Sequence, residues 1–329
     1  MRKITMLQAI NEALHEEMER DGNVFVIGED VGEYGGCWFA TEGLYEKYGA
    51  MRAMDTPISE AGFVGLCVGA AMAGLRPVAE IMYFDFITAC MDQLINQAAK
   101  ADLMSGWQLK IPLVVRAQCG IGSREAGQHS QFLENWFLSA PGFKVLVPSN
   151  AHDAKGLLKS AIRDDSPVLF LEHRGLYYNK QEIPDQDAGC LVEIGKANLI
   201  SEGDHLTLVS YGNGVRVCQE AMALMPHVGI DLIDLRSLLP MDMDMILRSV
   251  AKTGRLLVVH ETAAGFSVGS EIVRRVVAEG FNLLDAEPLV YGGVRTVTPF
   301  ASNLEDAIML HPEEIVSKSR YLLTGVLEI

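Results

Sequence analysis

Residues 55–80 read DTPISEAGFVGLCVGAAMAGLRPVAE, in which a helical stretch with one carboxylate, Glu60, at its head runs directly into an apolar strand. A helix followed at once by a buried strand is the repeating unit of parallel α/β folds, so this stretch decides the fold class. Ser59 can cap the helix, and a carboxylate in the first turn gains about 0.3–1 kcal/mol from the helix dipole. Capping is therefore one explanation of Glu60.

Small residues along this helix favour a second explanation. They leave one side almost free of side chains and comprise Gly62, Gly65, Gly69, Ala73 and Gly74. Such a surface lets another helix approach closely. Glu60 would then lie at a packed subunit interface, where a carboxylate is costly unless a ligand or partner binds it.

Strand-like and helical segments alternate on both sides of this stretch. The strand-like segments NVFVIGED, IPLVVRAQ, FKVLVPS and PVLFLEH have largely continuous apolar runs rather than alternating ones, which indicates a parallel sheet covered on both faces. A polar, turn-rich segment begins near Tyr177, and a second α/β series follows from HLTLVSYG onwards. The sequence therefore predicts two α/β domains, residues 1–180 and 181–329, with a linker at about 177–192.

Composition and charge exclude several functional classes. The chain has 329 residues and a formal net charge of −16 without a basic cluster, which makes a nucleic-acid partner unlikely. The longest uncharged run, Ala61 to Leu75, is shorter than the roughly 20 residues of a membrane span. The N-terminus has an amphipathic pattern and not that of a signal peptide, so we expect a soluble cytoplasmic protein.

Familiar cofactor and metal motifs are missing. The six cysteines form no C-x-x-C pair, so neither a zinc site nor a dithiol redox motif is indicated, and most are expected to be buried thiols. Neither half has G-x-G-x-x-G after a strand, and G-x-x-x-x-G-K-[ST] does not occur. A self-contained dinucleotide or P-loop site is therefore not predicted.

Six segments in order along the chain carry a family resemblance. They are GEDV (28–31), residues 55–80, MDQLINQAAKADLMSG (91–106), QHSQ (128–131), VLVPSNAHDAKGLLKSAIRDDSPV (145–168) and RSLLPMDMDMI (236–246). Through these segments the chain resembles the beta subunit of the decarboxylase component of 2-oxo acid dehydrogenase complexes. That family includes pyruvate, branched-chain and acetoin enzymes that depend on thiamine diphosphate. The resemblance implies a transketolase-like α/β fold, with a parallel-sheet pyrimidine-binding domain followed by a smaller α/β C-terminal domain.

The same resemblance assigns roles around Glu60. It implies that Glu60 hydrogen-bonds N1′ of the cofactor's aminopyrimidine and so promotes formation of the thiazolium carbanion; burial would make this carboxyl group a competent proton partner. Phe86 is expected against the aminopyrimidine, Ile58 and Met82 in the pocket walls, and Glu29 in the surroundings. Without the resemblance, the three apolar residues could equally be core, and Glu29 a polar residue at a strand end.

His129 lies in GSREAGQHSQFLENW (122–136), a glycine-bearing loop predicted to enter a helix whose dipole would keep the imidazole neutral. The resemblance places it near the reacting substrate and the lipoyl group. The alternative is an ordinary structural or exposed loop histidine.

A potassium site and a divided magnesium site are also implied. Some relatives bind potassium through oxygens that correspond to Leu113, Ala161, Ile162, Asp164 and Ser166, the last replacing an asparagine. The magnesium motif of thiamine enzymes, GDG…N, is missing, because the only Gly-Asp pair, Gly203–Asp204, precedes His205. The resemblance therefore implies that an alpha subunit holds Mg²⁺ in an α2β2 heterotetramer, and that the C-terminal domain docks the lipoyl acyltransferase core.

Two hypotheses of different classes follow. The first is an enzyme subunit that decarboxylates a 2-oxo acid, or cleaves acetoin, and acylates lipoyl-lysine. The second is a non-catalytic assembly subunit of such a complex. Pyruvate, branched-chain acids and acetoin stay open as substrates, although VLFLEHRGLYYN (168–179) favours the acetoin and pyruvate members.

Overall fold

The computed structural model describes residues 1–184 and 190–326, and the chain divides into two units. Unit 1 comprises Met1–Gly120 and Gln128–Ile194, and unit 2 comprises Ile121–Gly127 and Gly195–Ile329. Residues 185–189, which belong to the predicted linker, lie outside the described residues, as do residues 327–329.

Unit 1 is built on a parallel sheet. Its strands are β1 (Arg2–Thr5), β2 (Val24–Gly28), β3 (Ala53–Asp55), β4 (Arg76–Ile81), β5 (Val114–Cys119), β6 (Lys144–Leu146), β7 (Val168–His173) and β8 (Lys180–Ile183). Six of them run parallel in the order β6-β7-β5-β4-β2-β3, while β1 and β8 form an antiparallel pair. The first part of the segment predicted as a linker therefore contains a strand.

The helices of unit 1 differ from the prediction in two places. They are α1 (Met6–Arg20), α2 (Leu44–Tyr48), α3 (Glu60–Met72), α4 (Ala101–Met104), α5 (Glu134–Leu138) and α6 (Ala151–Arg163). The sequence FITACMDQLINQAAKAD (86–102) predicts one helix, but this stretch forms a 3₁₀ segment, Phe84–Cys90, a π-helix, Asp92–Ala98, and the short α4. The sequence SQFLENWF predicts a helix from Ser130, but the helix α5 begins only at Glu134. Further 3₁₀ turns cover Ala126–Gln128 and Arg174–Leu176.

Apolar burial and buried ion pairs hold unit 1 together. Strands β2, β5 and β7 are buried along their whole length, as expected for a sheet covered on both faces. Helix α1 packs on α6, where the buried Lys155 Nζ lies 2.7 Å from Glu12 Oε2 and 2.8 Å from Glu16 Oε1. These lysine and glutamate side chains satisfy one another within unit 1.

Unit 2 is a second α/β layer structure. Its strands are β9 (Asn198–Ser201), β10 (Leu206–Ser210), β11 (Ile230–Asp234), β12 (Ser237–Leu239), β13 (Leu256–Ala263) and β14 (Leu289–Gly293). Its helices are α7 (Asn213–Ala223), α8 (Met243–Thr253), α9 (Val268–Gly280), α10 (Ser302–Asp306) and α11 (Pro312–Thr324), with a 3₁₀ turn at Phe281–Leu283. A five-stranded sheet in the order β14-β13-β10-β11-β9 is parallel except for β9. The predicted fold class, two parallel-dominated α/β layers in succession, is confirmed.

None of the described helices is both long enough and apolar enough to span a lipid bilayer.

Candidate functional site

The predicted site residues of unit 1 gather at the carboxyl edge of its parallel sheet. Glu29 follows β2, Ile58 and Glu60 follow β3, and Met82 and Phe86 follow β4. These strands are neighbours, with Gly28 of β2 opposite both Asp55 of β3 and Glu80 of β4. In open α/β sheets, ligands bind outside the carboxyl ends of the strands. The sheet therefore brings these side chains to the edge where a ligand is expected.

Glu60 is the first residue of α3, and its carboxylate makes no hydrogen bond or ion pair with any described residue. The side chain of Ser59 occupies the N-cap position but makes no capping bond, so the predicted side-chain cap is not formed. Burial, and secondly the charge of Glu60, raise the pKa of the Glu29 carboxyl group. Glu60 is thus a half-buried acid close to a second acid, Glu29, and no described residue donates a hydrogen bond to it. Such a carboxylate is suited to bind a ligand that offers a proton or a hydrogen-bond donor.

Helix α3 packs its apolar side into unit 1 and leaves its small residues outside. Phe63, Val64 and Val68 are buried, whereas Gly62 and Gly69 are exposed and a Cβ at Gly69 would meet nothing within 4 Å. The helix ends at Met72, so Ala73 and Gly74 of the predicted small-residue face lie beyond it. Ile58 is 84% exposed within this chain. Ile58 is therefore not a core residue, and the exposed face of α3 is open to a partner helix.

His129 is held between two aromatic rings. Its imidazole meets Tyr83 at a centroid distance of 4.6 Å and Phe86 at 5.3 Å, both close to perpendicular. Asp85 anchors the loop by accepting hydrogen bonds from the backbone nitrogen of Gln131 at 3.2 Å and from its side-chain Nε2 at 2.8 Å. The predicted helix-dipole effect on His129 is wrong, because α5 begins five residues later and such effects are confined to the first turn.

Three residues that the sequence reasoning missed complete this edge. The Arg174 guanidinium lies 5.3 Å from the ring centre of Trp38 and 5.7 Å from that of Tyr83. Burial raises the pKa of the Tyr83 hydroxyl, and the Arg174 charge opposes that rise. Tyr83 directly follows the apolar run of β4 and Arg174 follows β7, so the rule of strand carboxyl ends could have found both.

A charged network lies buried at the same end of the sheet. Arg116 Nε and Nη2 donate to the two oxygens of Glu172 at 2.7 and 2.9 Å, and its Nη1 donates to Glu80 at 2.6 Å. The Tyr177 hydroxyl donates to Glu172 at 2.7 Å. Burial is the main cause that raises the pKa of Glu80, and the Arg116 charge lowers it. Nearby, both amide atoms of the buried Gln118 find no partner among the described residues.

The five residues predicted for potassium come together at one turn, where α6 ends and β5 and β7 begin: Leu113, Ala161, Ile162, Asp164 and Ser166. Oxygens of Leu113, Ala161, Ile162 and Asp164 already accept hydrogen bonds. Arg76 Nε donates to the Ile162 carbonyl at 2.9 Å, and Lys144 Nζ and the Ser166 nitrogen donate to the Asp164 carboxylate. A carbonyl oxygen keeps a second lone pair, so the oxygen set suits a cation, although two positive side chains already lie at this turn.

No group of three or more histidine, cysteine, aspartate or glutamate side chains in residues 1–184 and 190–326 is arranged to hold a metal ion.

Similarity to protein families covers both units. Residues 2–180 match the transketolase pyrimidine-binding domain family, and residues 195–315 match the transketolase C-terminal domain family. The chain is 45% identical to the pyruvate dehydrogenase E1 component subunit beta of Rhizobium meliloti, over 96% of this chain and 69% of that protein. It is 43% identical to the mitochondrial pyruvate dehydrogenase E1 beta subunit of Homo sapiens, over 95% and 89% respectively.

A relative with a different substrate is almost as similar. The beta subunit of the acetoin:2,6-dichlorophenolindophenol oxidoreductase of Cupriavidus necator is 41% identical over 98% of both chains. Among solved structures, a split-gene transketolase in an inactive beta4 tetramer matches with a TM-score of 0.79 at 20% identity, over 98% of both chains. A transketolase from Pichia stipitis matches with a TM-score of 0.71 at 12% identity, over 99% of this chain and 46% of that one. The two structures share the fold.

Proposed function

The chain belongs to the family of the beta subunits of pyruvate and acetoin dehydrogenases, and on this premise we propose that it is the beta subunit of a thiamine-diphosphate-dependent dehydrogenase. With an alpha subunit it decarboxylates a 2-oxo acid of the pyruvate type, or cleaves acetoin, and reductively acylates lipoyl-lysine. The observation that carries this proposal is the unpartnered Glu60 carboxylate at the carboxyl edge of the sheet, the edge at which Phe86 also lies in contact with His129.

The side chains at this edge fit one half of a thiamine diphosphate site. When bound, the cofactor supplies the nucleophilic carbon and the electron sink for the reaction. Glu60 holds a proton toward N1′ of the aminopyrimidine, because its carboxylate has no competing donor within the described residues. Phe86, Met82 and Ile58 provide apolar contact. Glu29 acts indirectly, through Glu60, because it places a second carboxylate close to the carboxylate of Glu60.

His129 is proposed to act on the substrate side of the same edge. Its contacts with the rings of Tyr83 and Phe86 fix the plane of the imidazole, and no described residue forms a hydrogen bond with its ring nitrogens. A positioned imidazole with free nitrogens can accept or deliver one proton while the acyl group passes to the lipoyl thiol.

The remaining parts of the enzyme are proposed to come from other chains. An alpha subunit supplies Mg²⁺ for the diphosphate, because this sequence has no GDG motif. The exposed small-residue face of α3, with Gly62 and Gly69, favours an α2β2 assembly in which another helix covers it. The C-terminal domain, proposed as residues 181–329 after a pyrimidine-binding domain of residues 1–180, docks the acyltransferase core.

Potassium is proposed to bind at the turn of Leu113, Ala161, Ile162, Asp164 and Ser166. Binding to the folded state alone raises stability with ligand concentration. We therefore expect a higher melting temperature in KCl than in NaCl at equal ionic strength. Equal melting temperatures in the two salts would show that Arg76 and Lys144 satisfy the turn without a metal ion.

Calorimetric titration with thiamine diphosphate and Mg²⁺ tests the division of the site. We expect weak or no binding by this chain alone and tight binding once it is reconstituted with an alpha subunit. Tight magnesium-dependent binding by the isolated chain would contradict the shared site. Failure of the reconstituted pair to bind would instead support a non-catalytic assembly subunit.

Substrate identity is tested with the same reconstituted pair. Pyruvate, a branched-chain 2-oxo acid and acetoin are supplied in turn with a lipoyl domain as acceptor, and acylation of the domain is measured. We expect activity with pyruvate or acetoin and little with the branched acid. Cofactor binding without turnover of any of the three would refute the proposed reaction.

A further inference from the structure

Outside the candidate site, three side chains of unit 1 form a hydrogen-bonded series. The Cys190 Sγ lies 3.1 Å from His152 Nε2, and His152 Nδ1 lies 3.1 Å from Asp153 Oδ1. A nucleophile within reach of a base that a third group orients is the arrangement by which proteins activate cysteine. The series has no part in the function proposed above.

The chain after Cys190 fixes the thiol beside His152. The Val192 nitrogen donates to the Gly156 carbonyl at 3.3 Å, and the Ser160 hydroxyl donates to the Val192 carbonyl at 2.6 Å. Two residues of chain span at most about 7 Å, and four helical residues rise about 6 Å. The distance from Cys190 to Val192 along the segment therefore matches the distance from His152 to Gly156 along α6. The Cys190–His152 and Val192–Gly156 contacts thus belong to a single alignment of the segment against the helix.

Close packing reinforces this register. A Cβ on Gly156 would come within 2.5 Å of Val192 Cγ2, so only glycine admits the 190–193 segment at this distance. The segment cannot slide along α6 without losing both its hydrogen bonds and this contact.

The orienting carboxylate is buried and the base is accessible. Asp153 is 2% exposed, and Asn150 Nδ2 donates to its Oδ2 at 2.8 Å, which leaves Oδ1 facing His152. The His152 side chain is 41% exposed, and Cys190 is partly exposed. A soluble reagent can therefore reach the thiol while Asp153 stays fixed.

The other five thiols are buried or have a raised pKa. Burial raises the pKa of three of them to about 12, namely Cys67, Cys90 and Cys218. Cys119 is 1% exposed, and Cys37 is partly exposed like Cys190, but burial and the charge of Glu80 raise its pKa. The thiolate is the reactive form, and Cys190 combines partial exposure with a histidine nitrogen 3.1 Å from its sulfur.

Among the described residues, the other charged groups of α6 and β8 that we compare with His152 are paired with other side chains or exposed. Lys155 in the second turn of α6 pairs with Glu12 and Glu16 of α1. On β8, which also packs against α6, Glu182 lies 3.7 Å from Lys3 and Lys180 is exposed. His152 and Asp153 are thus the groups placed to govern the protonation of the thiol.

We propose that Cys190 is an activated thiol that forms mixed disulfides with low-molecular-mass disulfides. The Cys190 proton passes to His152 Nε2, and the thiolate attacks one sulfur of the disulfide. The reagent's S–S bond breaks, a Cys190–S–S–R bond forms, and the other half leaves as a thiolate that takes the proton from His152. The disulfide is the oxidant, and no further reactant is required.

The test measures the reaction of the full-length chain with 5,5′-dithiobis(2-nitrobenzoate) between pH 5.5 and 9. We expect one fast thiol per chain, with a rate midpoint below the ordinary thiol value of about 8.5. A midpoint two units lower raises the thiolate fraction about fiftyfold at pH 6.5, while nucleophilicity falls about six- to tenfold. The net expectation is a rate about five- to tenfold above that of an ordinary exposed thiol.

Variants assign the fast phase. Cys190→Ser should remove it, Cys119→Ser should leave it unchanged, and His152→Gln should keep the reaction but move its midpoint up to the ordinary value. Asp153→Asn should shift it in the same direction, and circular dichroism checks folding of each variant. Peptide mapping after treatment with glutathione disulfide should find the adduct on Cys190. A fast phase that survives Cys190→Ser, or identical midpoints in the wild type and His152→Gln, would overturn the proposal.

Discussion

Two glutamates at the carboxyl end of the first sheet have opposite surroundings. Glu172 of β7 is buried and accepts two hydrogen bonds from Arg116 and one from Tyr177. Glu60, at the start of α3, is half-buried and has no donor among the described residues. A fully satisfied buried acid specifies structure, whereas an unsatisfied one retains binding capacity for a ligand. The difference predicts that Glu172 and its partners govern stability and that Glu60 governs activity.

Glu60→Gln should have the largest effect, a loss of turnover of up to about 10⁴-fold, while the fold is kept. The amide has the shape of the carboxyl group but no exchangeable acid proton for N1′, and a positioned acid or base is typically worth about 10²–10⁴-fold. The measurement is the rate of C2 proton exchange of the bound cofactor in the reconstituted complex. An exchange rate equal to that of the wild type would remove Glu60 from the mechanism.

Arg116→Met should cost about 3–5 kcal/mol of unfolding free energy, because it leaves Glu80 and Glu172 buried without their cation. Burial raises the pKa of Glu80 and the Arg116 charge lowers it, so loss of Arg116 raises this pKa further and the folded variant binds a proton on Glu80 more readily than the unfolded chain does. The stability that this proton contributes is complete below the unfolded pKa and is lost as pH rises through the folded one. The cost should therefore be smaller at pH 5 than at pH 8.

Urea denaturation of the full chain at both pH values measures this cost. Arg116→Lys is the matched control, since it keeps the charge but loses the two-pronged contact with Glu172. A cost below about 1 kcal/mol at pH 8 would show that the network stabilises the sheet no more than a surface ion pair does.

His129→Ala should reduce acylation of a lipoyl domain by at least about a hundredfold, or roughly 2.7 kcal/mol, and spare cofactor binding. In the proposed site, cofactor binding depends on other groups, namely Glu60, Phe86 and the metal ion assigned to the alpha subunit. Single-turnover acylation is compared with an assay that uses an artificial electron acceptor in place of the lipoyl group. Equal losses in both assays would move His129 to the decarboxylation step, and near-normal acylation would show that it only orders its loop.

The sequence predicted the fold class correctly, and the sheet topology brings the residues predicted for the site to one edge. Apolar strands such as β2 and β7 indicate a parallel sheet because burial on both faces removes polar alternation. The residues after β2, β3 and β4 meet because parallel strands present their ends at one edge. The antiparallel partner of β1 was missed, since β8 is short and lies in a polar, turn-rich segment.

Other features depend on contacts that no local pattern records. The break of residues 84–104 into 3₁₀, π and α segments follows no proline or glycine signal, since none occurs between Phe84 and Met104. His129 is oriented by Tyr83 and Phe86, which lie more than 40 residues earlier in the chain, so its helix-based explanation failed. Cys190 and His152 show the same limit, because 38 residues separate two side chains that are 3.1 Å apart.

Ser59→Ala should have the smallest effect, and it separates the two explanations of Glu60. A side chain that caps a helix typically contributes about 1 kcal/mol, but Ser59 makes no capping bond, so its loss should change the unfolding free energy by less than about 0.5 kcal/mol. Thr5→Ala is the matched control, because Thr5 caps α1 through a complete capping box and its loss should cost about 1 kcal/mol. Both variants are compared by urea denaturation and by turnover of the reconstituted complex.

If Ser59→Ala costs as much as Thr5→Ala, the N-terminus of α3 is an ordinary capped end in solution, and the carboxylate of Glu60 belongs to that cap. If Ser59→Ala is silent in stability while Glu60→Gln abolishes turnover, the acid at the head of α3 serves the ligand and not the helix.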